Sequence, residues 1–190
     1  MNTISATLVL SVLLAQPMLA AAHPLTDNGI TSLDENRRPL SRTLLAVPDI
    51  EGYQTLKCDL HIHTVFSDGL VWPTIRIQEA WREGLDAISI TDHIEYQPHS
   101  RDISQDNNPP YQVAARAAEE SNVLLIQGSE ITRGTPPGHF NAIFVTDASG
   151  FLKETREGDL DLDREAIRLA TDQGAFVFWN HPGWKADRIE

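Results

Sequence analysis

Two histidines, His61 and His63, stand two residues apart at the end of a short apolar, β-leaning run, and Asp68 follows five residues later on a Ser-Asp-Gly turn. On a strand, side chains two apart share a face, so the two imidazoles are expected to project side by side. Two imidazoles with a carboxylate on the exit loop suit a divalent ion, and nitrogen and oxygen donors of this kind favour zinc, manganese or iron. A strand end that happens to carry two histidines is the plainer alternative, because short motifs match by chance. The elements that would position these residues decide between the two.

From Thr55 onward the chain alternates strands and helices. The first strand ends at His63. Pro73 suits a first helical position, Ile77, Ala80 and Trp81 share one face, and Gly84 closes that helix. A second strand, 87–91, ends in Asp92-His93, and a long polar loop runs to Pro109-Pro110. An alanine-rich helix over 110–120 precedes a third strand from Val123, which ends near Gly128-Ser129-Glu130. A Gly/Pro-rich loop leads to His139 and a fourth strand, 140–145. Asp163 is expected to cap a helix containing Ile167 and Ala170 that stops before Gly174. A fifth strand, 175–179, ends in Asn180-His181-Pro182-Gly183.

Continuous apolar strands alternating with helices predict a parallel sheet buried on both faces. His61, His63, His93, Glu130 and His181 then fall at C-terminal strand ends, where parallel α/β enzymes build their sites. Asp68 lies on the first strand-to-helix loop. His139 is the exception, at the start of its strand, and His23 and His99 lie outside the pattern. Four of the seven histidines at strand ends, with carboxylates between them, argue against a purely structural role.

The chain has 190 residues, 41% apolar and 22% charged, which fits one globular domain with a sizeable core. A net charge of -12 argues against a nucleic acid held in a basic groove, while a small phosphorylated substrate remains compatible because bound ions supply local positive charge. Residues 1–22 have the outline of a secretory signal peptide: an uncharged apolar run broken by Pro17, then Ala20-Ala21-Ala22. The run is too short to span a membrane. A secreted or periplasmic protein is therefore expected, with an irregular lead-in over 23–53 and the domain over 54–190. Cys58, the only cysteine, excludes an internal disulfide and is expected to be a buried, inert thiol.

Taken together, Asp59-Leu60-His61-x-His63-Thr64-x-x-Ser67-Asp68-Gly69, Thr91-Asp92-His93, Gly128-x-Glu130, Gly138-His139-x-Asn141 and Asn180-His181-Pro182-Gly183 resemble the PHP family (polymerase and histidinol phosphatase). The resemblance implies a distorted barrel of seven β/α units, of which about five are present here. It also implies two or three divalent ions at the barrel mouth and hydrolysis of phosphate esters by a metal-bound water, with no protein nucleophile. Residue by residue, it implies that His61, His63 and Glu130 hold one ion, that Glu130 bridges to a second held by His139 and His181, and that Asp68 and His93 hold a third. Asp59 and Asp92 are not obvious ligands. Arg133 is a candidate for meeting a substrate phosphate. The family's last Asp and His have no counterpart before Glu190, so the domain is expected to be incomplete at its C-terminus.

Two rival readings stand beside this one. An amidohydrolase-type hydrolase also opens on a His-x-His strand, but commonly bridges its metals with a lysine where this chain has Glu130. A non-catalytic metal-binding or interaction module needs the same donors without turnover.

Overall fold

The computed structural model describes residues 41–134, 137–150 and 160–184. The signal-peptide reading and most of the lead-in lie outside the described residues. Residues 41–57 are largely extended and strap the outside of the domain. Thr43 N donates to Arg82 O at 2.8 Å, and Lys57 and Arg42 both meet the Asp86 carboxylate.

The elements follow the order β1 (Cys58–Ile62), α1 (Pro73–Glu83), β2 (Ala87–Ile90), α2 (Pro109–Ser121), β3 (Leu124–Ile131), β4 (Phe140–Ile143), α3 (Leu160–Asp172) and β5 (Phe176–Trp179). Both α1 and α2 open on proline, whose missing N–H costs nothing in the first helical turn. They close on Gly84 and Asn122 in the left-handed conformation, which lets the cap N–H groups reach back to the last carbonyls. α3 begins three residues before Asp163. That residue is therefore no cap: it lies within the first turn, buried, and is used for an ion pair described below.

The five strands form one curled sheet in the order β1-β2-β3-β4-β5, a half-barrel. β1, β2 and β3 run parallel, but β4 is antiparallel to both β3 and β5. The all-parallel expectation is thus corrected. The cause is the short connection between Ile131 and Phe140: a parallel crossover needs a dozen residues or more, and this connection is shorter than that.

The helices cover one face of the sheet. Ile88 and Ile90 pack with Ile77 and Ala80 of α1 and with Ala114 and Ala118 of α2, while α3 places Ala166 and Ala170 against Ile131 and Ala142. On the concave face Ala87, Ile126 and Ile143 form a smaller group with Leu60 and Phe178. In β3 the alternation runs Leu125 and Ile131 to the helices and Ile126 to the concave side, which sends Glu130 to the concave side too. Cys58 is exposed rather than buried, because it opens a strand whose only partner among the described residues is β2. Partial burial and the nearby Asp86 carboxylate push its thiol up, so it is a poor nucleophile.

Ile88 is fully buried at the centre of the larger helix-side group. Ile88→Ala is expected to cost about 2–5 kcal/mol, measured as a lower urea midpoint with an unchanged slope.

Candidate metal centre

β1 carries an extra residue: Asp59 pairs with Ile88 but Ile62 pairs with Ile90, three steps against two. This bulge breaks simple alternation, so Leu60 packs on the concave side while Ile62 packs toward the helices. His61 and His63 nevertheless converge, with their Nε2 atoms 3.1 Å apart. The turn that follows is held by Asp92, a buried carboxylate at the end of β2. Its Oδ1 accepts from Thr64 N at 2.7 Å and Ser67 Oγ at 2.6 Å, and its Oδ2 accepts from Thr64 Oγ1 at 2.7 Å. Gly69 completes the turn by lying directly on the end of β1, where a Cβ would sit 2.6 Å from the His63 carbonyl carbon. The result places Asp68 Oδ1 2.6 Å from His63 Nδ1 and Asp68 Oδ2 3.6 Å from His93 Nε2.

Glu130 is the centre of the cluster, with no exposed surface. Its Oε2 lies 2.8 Å from His63 Nε2, 3.3 Å from His61 Nε2 and 3.1 Å from His93 Nδ1. Its Oε1 lies 3.0 Å from His139 Nδ1 and 3.5 Å from His181 Nε2, and accepts from Asn180 Nδ2 at 3.1 Å. The antiparallel β4 explains how His139 arrives. Phe140 pairs with Ile131 at the end of β3 and with Trp179 at the end of β5, so the start of β4 lies at the same sheet edge as those ends. The residue that broke the strand-end pattern in sequence therefore joins the others in space. His181 adopts a φ of 29°, in the left-handed region that non-glycine residues seldom occupy and that strained site residues often do.

The donor atoms fall into three overlapping sets, each within 4.8 Å: His61, His63 and Glu130; His63, Asp68 and His93; His93, Glu130 and His139. Five imidazoles and two carboxylates gathered in this way fit a divalent metal ion. Of the groupings implied by resemblance, the geometry gathers His61, His63 and Glu130 as one set. It adds His63 to Asp68 and His93, and sets His181 further from Glu130 than His139. An open bowl of about 400 Å³ above the cluster is lined by His61, His63, Asp68, His93, His139, His181 and Trp184.

The electrostatics follow from crowding. Burial favours a neutral Glu130, but hydrogen bonds from His139, His61 and His63 outweigh it and hold the carboxyl well below the usual range. Burial alone would lower His63, yet its bonds to Glu130 and Asp68 raise it to about 9. Burial dominates at His93 and lowers it to about 4.

Arg133 does not join the cluster, and its reading as a phosphate ligand is corrected. The side chain is 2% exposed, and its guanidinium is paired with the Glu95 carboxylate through Nη1 and with Asp163 Oδ1 at 2.7 Å through Nε. Asp59 is exposed; its Oδ1 accepts from His61 N at 3.2 Å. Of the two outlying histidines, His99 is exposed on the long loop and His23 lies outside the described residues.

Three buried amides escaped the reading of the sequence as position-setting groups. Asn180 Nδ2 reaches both Glu130 and Asn141 Oδ1 (2.7 Å), Asn141 Nδ2 donates to Leu60 O at 2.9 Å, and Asn107 Nδ2 donates to the carbonyls of Asp92 and His93. An asparagine inside an apolar strand, as in Phe140-Asn141-Ala142-Ile143, is the signal that was available. Asn107, on a polar loop, offered none.

The half-barrel thus carries in its mouth a His/Glu/Asp cluster whose donors could hold a metal ion. No family model and no curated protein matches the chain. Among solved structures it is similar to a two-domain protein from Bacteroides vulgatus containing a predicted PHP-like metal-dependent phosphoesterase: 51% identity over 80% of this chain, with a TM-score of 0.71. The chain belongs to the PHP family. It spans 42% of the length of that Bacteroides protein. Two further structures resemble smaller parts of it. One is a Bifidobacterium adolescentis protein assigned as a metal-dependent phosphoesterase (29% identity, 51% of this chain and 30% of that one, TM-score 0.39). The other is a Chromobacterium violaceum amidohydrolase with bound sulfate (20% identity, 59% and 32%, TM-score 0.37).

Two outcomes are expected. In the metal-free chain the raised His63 keeps its proton up to about pH 9, and an entering ion must displace it. Metal affinity should therefore rise with pH from neutrality and level off above about 9, with proton release seen by calorimetry in buffers of different ionisation heat. Arg133→Met leaves Glu95 and Asp163 as buried carboxylates without their cation and should cost about 3–5 kcal/mol in urea unfolding.

Proposed function

We propose that this domain hydrolyses phosphate esters at two or three divalent ions, zinc, manganese or iron, held by His61, His63, Asp68, His93, Glu130, His139 and His181. The observation that carries this reading is Glu130: a fully buried carboxylate whose oxygens face five imidazoles under an open bowl. A buried carboxylate shared in this way is suited to bridge two ions, with His61 and His63 serving one side and His139 and His181 the other. Asp68 and His93 complete the third position with His63. When bound, the ions supply the positive charge that makes a water acidic and neutralises phosphoryl oxygens. The chain's own contribution is placement. Asp92 fixes the turn that presents Asp68, Asn180 fixes Glu130, and among the described residues the bowl wall offers no serine or cysteine to attack in place of water.

In this reading residues 1–22 direct export and are removed, 23–53 form a lead-in, and the domain occupies 54–190. Mass spectrometry of the native protein should find its first residue near His23.

The test of function is turnover of aryl phosphate mono- and diesters with added manganese or zinc, beside a panel of amides and lactones. Phosphate ester turnover should depend on metal and fall at least about 100-fold in Glu130→Gln, more than loss of a group that merely supports a ligand. Hydrolysis confined to amides or lactones would replace the phosphoesterase with an amidohydrolase-type enzyme. Tight metal binding without any turnover would leave a binding module.

A further inference from the structure

His93 faces two candidate positions with two nitrogens. Its Nε2 points to Asp68 Oδ2 at 3.6 Å, and its Nδ1 lies 3.1 Å from Glu130 Oε2. A neutral imidazole can give a lone pair through only one nitrogen, and the partner of the other decides which. A third group approaches the ring more closely than either carboxylate: Thr132 Oγ1 lies 2.6 Å from His93 Nδ1. That hydroxyl has an acceptor for its own proton in the Glu130 carbonyl, at 3.4 Å. Its oxygen can therefore accept a hydrogen bond from His93 Nδ1–H while its own O–H donates to that carbonyl.

Thr132 is itself held on both sides. Its N–H donates to Glu95 Oε2 at 2.7 Å, and its carbonyl accepts from Arg133 Nη1 at 3.0 Å. The same guanidinium closes onto the other oxygen of Glu95 and onto Asp163 of α3. Glu95 lies two residues beyond His93, so the ion group ties the loop after β2, the loop after β3 and helix α3 at one point. All three charged side chains are nearly buried, which makes the arrangement rigid and expensive to rearrange.

We propose that Thr132, clamped by Glu95, Arg133 and Asp163, is a positioning residue that keeps the proton of His93 on Nδ1 and so commits Nε2 to the Asp68 side of the metal centre. This rests on the metal reading above and not on the choice of phosphate esters as substrate. It gives the buried ion group a role in the site: Arg133 acts at a distance from any substrate, through the hydroxyl of its neighbour.

The test is made on the full chain, with no substrate. Nitrogen-15 NMR of the metal-free wild type at neutral pH should show His93 as the Nδ1–H tautomer. A wild-type His93 in the Nε2–H form overturns the proposal, and that measurement needs no variant to fold. Manganese titration then separates the hydroxyl from the shape of the residue. Thr132→Val should weaken one bound equivalent by about 10–100-fold and mix the His93 tautomers, while Thr132→Ser retains both wild-type properties. Equal affinity for every equivalent in Thr132→Val and the wild type overturns the role. A wild-type chain that takes up no manganese, zinc or iron overturns the metal reading and this proposal with it. Phosphate ester turnover enters neither measurement, so a failed substrate assignment is told apart.

Discussion

One buried carboxylate organises the mouth of this half-barrel. Glu130 has no contact with solvent, and an unpaired charge there would cost several kcal/mol, a large part of the margin by which a domain is stable. What compensates it is a ring of imidazoles drawn from the four other strands of the sheet: His61 lies in β1 and His63 just beyond it, His93 follows β2, His139 precedes β4 and His181 follows β5. The fold and the donor set are thus one constraint. The sheet has to curl until the ends of its four other strands meet around β3, and Glu130 is where they meet.

Curling alone does not bring in β4. Reversal of that strand does, and it follows from a connection between Ile131 and Phe140 too short to hold a crossover helix. The reversal turns the start of β4 toward the ends of its neighbours and places Asn141 one step below His139, where it links Leu60 of β1 to Asn180 beyond β5. The same short connection has to be anchored, because it carries Thr132 and Arg133 past the edge of the cluster. Its anchor is the buried Arg133 with its two carboxylates, Glu95 and Asp163, a local excess of negative charge inside a chain that is already acidic. Such a group stabilises little by itself, since desolvation offsets much of the attraction, but it fixes geometry.

The rim is less constrained than the centre. Trp184 stands over the bowl with its ring edge-on to His139 and His181, at 4.8 Å and 5.3 Å, and Tyr96 meets His93 edge-on at 5.9 Å. Both aromatic residues are about half exposed. Ring edges packed on imidazoles limit how the ligands swing, which complements the hydrogen bonds that fix their bases.

The candidate donors and the order of elements were legible in the amino-acid sequence. Residue type and strand-end position are enough to mark His61, His63, Asp68, His93, Glu130 and His181 as candidate donors, with His139 added only by the family resemblance, and local periodicity places strands and helices within a few residues of where they lie. These are properties of short segments. Tertiary structure alone decided the rest, because each remaining question concerned pairs of segments distant in the chain. The direction of β4 was one: its residues alternate in the same way in either orientation, and the short connection from Ile131 to Phe140 has its meaning only once Phe140 is seen to pair back with Ile131. The bulge in β1 was another, since it exists only as a mismatch with the register of β2. Arg133 shows the limit most clearly. An arginine on a loop between two site residues reads as a ligand for phosphate, and nothing within its own segment reveals that Glu95 and Asp163, 38 and 30 positions away in opposite directions, fold in to take both sides of its charge.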